Sequence, residues 1–85
     1  MEYLTANMED LAEFEVTLEE LTLQVTEHYI GEQRIFRIIF PDKRKPLVIT
    51  VAQSLGKKFW TSVPQGRQEE AEKVGRLIAL YFKNR

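Results

Sequence analysis

Over residues 20–29 the chain alternates, with Leu21, Leu23 and Val25 set against Thr22, Gln24 and Thr26, the period of a strand buried on one face. Leu11, Phe14, Leu18, Leu21 and Val25 also satisfy helical spacing, so a long helix competes here; the threonines and valine of the second half favour the strand. Ile30-Gly31-Glu32-Gln33 follows. Glycine at the first central position of a two-residue turn meets the need of a type II′ hairpin for positive φ. That reversal predicts a register: Leu23 opposite Phe40, Val25 opposite Ile38, Thr26 opposite Arg37 and His28 opposite Ile35, with one wholly apolar face.

Two more reversals extend the pattern. With Lys43-Arg44 as the tip of Pro41-Asp42-Lys43-Arg44-Lys45-Pro46, Phe40 pairs with Leu47, Ile38 with Ile49 and Phe36 with Val51. A turn at Ser54-Leu55-Gly56-Lys57 sets Val51 opposite Trp60 and Ile49 opposite Ser62; a three-residue turn with a glycine bulge would swap the two faces. Pro64-Gln65-Gly66 ends the strands, and Ala71, Val74, Leu77, Ile78 and Tyr81 then recur at helical intervals. The spacing predicts a helix over residues 66–83, with Glu69 and Glu70 near its start and Lys83 at its end suiting the helix dipole. Its apolar stripe should lie across Phe36, Ile38, Phe40 and Ile49. Leu4, Met8 and Leu11 share a helical face, and Asn7 before Asp10 resembles a capping pair, which suggests a short N-terminal helix or arm over residues 1–13. The expected fold is α+β: one domain over 1–85, a four-stranded antiparallel meander within 20–63, and a C-terminal helix on one face.

Composition bounds what such a fold can do. The chain has 85 residues, 44% of them apolar, enough for one core but leaving little room for a deep cavity. There is no cysteine, which removes disulfides, thiolate metal sites and cysteine nucleophiles. Met1-Glu2-Tyr3-Leu4 lacks the basic and apolar regions of an export signal, and no stretch is long and apolar enough to span a membrane. A cytoplasmic location is expected. The net charge of −1 hides segregation: residues 1–32 carry nine acids and no Lys or Arg, and residues 33–67 carry eight bases against Asp42. The segments could neutralise each other locally or mark a partner-binding surface.

Catalytic chemistry finds no support. Ser54-Leu55-Gly56-Lys57-Lys58 evokes a phosphate loop, but Val51 stands where its first glycine belongs and Lys58 replaces the hydroxyl that binds magnesium. His28 is the sole histidine, without the partners of a triad or a metal site. Glu19-Glu20 and Glu69-Glu70 read as solvated charge and helix-start electrostatics. The expectation is no enzyme, no cofactor, no metal and no small-molecule substrate.

The sheet face away from the helix should carry Ile35, Ile39, Val48, Phe59 and Val63 beside Gln24, Thr26, Arg37 and Thr50, too apolar for plain exposure. Either the N-terminal segment or a second copy of the chain would cover it, so a protein-binding module, with a homodimer as one form, is the leading expectation. The alternative is single-stranded nucleic-acid binding through Arg37, Lys43, Arg44, Lys45, Lys57 and Lys58 with Trp60, since cations hold phosphates and aromatic rings stack bases. The order of four strands and one helix resembles the topology of the single-strand-binding domains of transcriptional coactivators, which dimerise; the acidic N-terminal third departs from them. Gly56-Lys57-Lys58-Phe59-Trp60-Thr61-Ser62-Val63-Pro64-Gln65-Gly66-Arg67-Gln68-Glu69 resembles a segment of small uncharacterised domains of Bacteroides-type gut bacteria. That resemblance implies a bacterial protein with the sheet-plus-helix fold, and brings no established activity with it.

Overall fold

A computed structural model describes residues 11–84. The chain forms five strands, β1 (Glu13–Leu18), β2 (Leu21–Ile30), β3 (Gln33–Ile39), β4 (Leu47–Ser54) and β5 (Lys57–Ser62), then one helix, α1 (Gln68–Lys83). The strands pair in sequence order as an antiparallel meander, and α1 covers one face. The fold is therefore α+β with a C-terminal helix, as the pattern indicates.

It has five strands rather than four. Phe14 and Val16 of Glu-Phe-Glu-Val-Thr-Leu point into the core while Glu13, Glu15 and Thr17 face out, so the first apolar residues follow period two and not the helical spacing. Residues 11–13 are not helical, and Glu13 opens β1; the remainder of the suggested N-terminal helix lies outside the described residues. Leu18 pairs with Leu21 across a two-residue turn in which Glu19 and Glu20 both adopt positive φ, 51° and 72°. Burial of Phe14, Val16, Leu23 and Val25 on either side holds that turn without glycine or asparagine.

The β2–β3 register is the expected one, with Val25 opposite Ile38 and His28 opposite Ile35, and Gly31 has φ 62°. The β4–β5 register also agrees: Val51 faces Trp60 and Ile49 faces Ser62 across a two-residue turn in which Leu55 and Gly56 both have positive φ. Between β3 and β4 the pairing is shifted by two residues from the expected one. Ile38 meets Leu47 and Phe36 meets Ile49, so Phe40 leaves the ladder and residues 40–46 form a wider loop. Pro41 and Pro46 have no N–H to donate to a tight ladder, and the loop has partners of its own. The Asp42 carboxylate accepts the Arg44 backbone N–H (3.0 Å), and Arg67 Nη1 donates to the carbonyls of Lys45 and Pro46 (3.1 and 2.8 Å). A slip of two keeps every side chain on its face, so the core composition survives the changed register.

The core lies between the sheet and α1. Leu23, Val25, Ile38, Leu47 and Ile49 meet Ala71, Val74 and Ile78 with almost no exposed surface; burying each large apolar side chain contributes about 1.5–3 kcal/mol. At the other end of α1, Phe14 stacks on Tyr81 with ring centroids 3.9 Å apart and meets Phe82 edge-on at 5.4 Å. One carboxylate enters this face. Glu27 is only 6% exposed, and it accepts the Ala12 backbone N–H (3.1 Å) and pairs with Arg34, as a buried charge requires.

Candidate functional site

The side of the sheet opposite α1 follows from the register. Moving from β1 to β5, one row reads Glu13, Thr26, Arg37 and Val48, the next His28, Ile35, Thr50 and Thr61, and Ile39 and Phe59 extend the face towards its ends. The backbone N–H of Val63 donates to the Val48 carbonyl (2.8 Å), which joins Val63 to the first row. The structure thus brings Ile35, Ile39, Val48, Phe59 and Val63 onto one surface. Ile35 and Val48 are half-buried, whereas Ile39, Phe59 and Val63 keep 39%, 40% and 47% of their surface open; no described element lies over them.

Polar groups mark the margins of this surface. Gln24 Nε2 donates to Glu15 (2.7 Å) on the β1 side, and Gln33 Nε2 donates to the Thr50 hydroxyl (3.1 Å), which in turn donates to the Arg34 carbonyl (2.7 Å). Arg37 sits in the middle between Thr26 and Val48, exposed and without an ion-pair partner among the described residues. Lys57 stands on the same side at the start of β5. The face therefore carries carboxylates, Glu13 and Glu15, at one edge and cations at its centre and far edge. β1 contributes residues that pattern reading left out; the Phe14, Val16, Leu18 alternation is the signal that finds them.

The cations proposed for nucleic acid do not form one cluster. Lys43, Arg44 and Lys45 lie in the β3–β4 loop, and Lys57 and Lys58 at the β4–β5 turn, so the eight residues of β4 separate them by roughly 25 Å. Arg44 is engaged by Asp42 (3.1 Å) and Glu70 (3.4 Å), with its guanidinium 4.5 Å from the Phe40 ring. Arg67 holds Glu70 more tightly, with Nε at 2.6 Å. Hydrogen bonding from Arg67, partly opposed by desolvation, keeps the Glu70 carboxyl below the usual carboxylate range. Trp60 is on the α1 side, half-buried, with its ring centroid 5.9 Å from that of Phe36. Arg37 and Lys57 are the members of the set that share the open face, together with Phe59 of the apolar set.

His28 is half-buried on the open face opposite Ile35. Among the described residues no helix is long and apolar enough to cross a membrane. Comparison of the chain with protein-family models, with curated proteins and with solved structures found no significant match.

Proposed function

We propose that the protein is a noncatalytic interaction module and that the sheet face opposite α1 is its docking surface, occupied by a second copy of the chain. The observation that carries this is the exposure of Ile39, Phe59 and Val63 on one continuous face. Isolated domains seldom leave such a patch open, and the arginine at its centre, in one row with Val48 and Val63, is of a type enriched at interface cores. Charge supports a like partner. Glu13 and Glu15 at the β1 edge are balanced within the face by Arg37 at its centre and Lys57 on β5, and a two-fold axis along the strands lays each acidic edge over the basic edge of the other copy.

Light scattering on a dilution series tests the reading. The expected mass is twice the 10.0 kDa chain, falling to one chain in Ile39→Lys and Phe59→Lys variants that remain folded by circular dichroism. A strictly monomeric wild type with both variants folded and unchanged would sink it.

Single-stranded nucleic-acid binding is the second reading, and what favours it is the sharing of one face by Arg37, Lys57 and Phe59. An oligonucleotide titration separates the two, because phosphate contacts weaken steeply as salt rises whereas an apolar dimer does not dissociate.

A further inference from the structure

The two-residue shift between β3 and β4 has a consequence on the α1 side of the sheet. Tyr29 pairs with Arg34, Val51 pairs with Trp60, and Ile35 beside Thr50 brings these pairs into one row. Trp60 in that row packs against α1 at Gly75, whereas Tyr29, Arg34 and Val51, and the exposed Glu32 and Lys58 beyond them, stay open. An open groove of about 700 Å³ lies between this end of the sheet and the last turns of the helix. Its apolar surface is offered by the half-buried Trp60 and Phe82, with the buried Phe36 and Ile78 behind them, and Val51 stays 43% exposed at its edge.

Two cations border this wall. The Arg34 guanidinium lies 4.9 Å from the Phe36 ring centroid and 4.7 Å from that of Phe82. Its Nε pairs with Glu27, and its two Nη groups have no hydrogen-bond partner among the described residues. Lys58 is exposed and also lacks an ion-pair partner among them. Glu32 is the one acid on the lining; with Arg34 already paired to Glu27, Lys58 is the lining cation without a carboxylate partner among the described residues.

We propose that this groove binds a monocarboxylate with an extended apolar body: the chain would lie along Trp60, Phe82 and Val51, and the carboxylate would take Lys58 and the free edge of Arg34. An apolar wall with a few convergent polar groups is the usual form of a small-ligand site, and a guanidinium edge matches a carboxylate in shape. Glu32 disfavours a multiply charged anion. The site is on the opposite face of the sheet from the docking surface and does not depend on it.

The protein reports on this site directly, since Trp60 is its sole tryptophan. Octanoate should change Trp60 emission saturably; octanamide, with the same body and no charge, should bind about tenfold more weakly, and acetate should have no effect. Lys58→Glu and Val51→Glu, both at exposed positions, should each lower octanoate affinity by about tenfold with the circular dichroism spectrum unchanged, and Ile39→Lys on the other face should leave it intact. Equal responses to octanoate and octanamide, no saturable response at all, or wild-type affinity in folded Lys58→Glu would each overturn the proposal.

Discussion

Gly75 lies in the middle of α1 with no exposed surface to speak of, where alanine would ordinarily be the better residue by about 1 kcal/mol. A Cβ there would sit 2.2 Å from Cγ of Trp60 and 2.3 Å from Cδ2, far inside van der Waals contact. The indole therefore rests directly on the helix backbone, and the glycine is what lets the helix approach β5. Gly75→Ala must move either the ring or the helix, and the expected result is a net loss of about 1–3 kcal/mol with altered Trp60 emission, read together in a urea titration followed by fluorescence. An unchanged midpoint and spectrum would remove the role assigned to this contact. Nothing local in the sequence marks Gly75, because a helical pattern counts glycine only as a weak point; the reason for it stands fifteen positions earlier in the chain. The pairing of Arg34 with Glu27 is equally silent, as both read as ordinary charges on strands until the register places them on the covered face.

Among the elements, the clearest disagreement between pattern and structure is β1. Leu11, Phe14, Leu18, Leu21 and Val25 fit a helix as well as Phe14, Val16 and Leu18 fit a strand, and the turn that would have decided the matter is Glu19-Glu20, which has none of the usual turn chemistry. Both glutamates are held in the left-handed region by the strands on either side, at a cost of about 1 kcal/mol or more for each non-glycine residue. Glu19→Asn combined with Glu20→Gly should recover about 1–2 kcal/mol of that strain, raising Tm by roughly 4–8 °C per kcal/mol in a domain of this size; the exposed Glu19–Lys73 contact that is lost, at 3.7 Å, offsets little. Calorimetry showing no rise in Tm would count against a strained turn. By contrast the two glycine turns, Gly31-Glu32 and Leu55-Gly56, were legible in the sequence, since a positive φ needs glycine and glycine is visible.

At the scale of the whole molecule, Glu70 ties the start of α1 to the far end of the sheet through Arg67 and Arg44. Its carboxyl is held below the usual range chiefly by the hydrogen bond from Arg67, so the contribution is present above the unfolded pKa of about 4.3 and is lost as pH falls through the lower folded value. Glu70→Gln should therefore cost stability at neutral pH, by under about 1 kcal/mol given its partial exposure, and the gap from wild type should close on acidification below about pH 4. Denaturant midpoints measured for both proteins across that interval decide it, and a gap that stays constant would show that the charge is not the cause. The segregation of charge is partly neutralised in the same way: among the described residues Glu19 and Glu27 of the acidic third find cations, while Glu13 and Glu15 stay at the edge of the open face.

The sequence by itself determined what depends on neighbours along the chain: the period-two strands β2 to β5, two of the three tight turns, the amphipathic helix, and which residues of those strands share a face, because side-chain direction in a strand follows from parity alone. Only the tertiary structure decided what depends on distant partners. It set the loop anchored by Arg67 that moved the β3–β4 pairing by two, the burial that forced two glutamates into a turn, and the helix-to-indole contact at Gly75. The shift left the apolar faces unchanged yet left Val51 open at the edge of the helix cover, beside a groove that parity could not reveal.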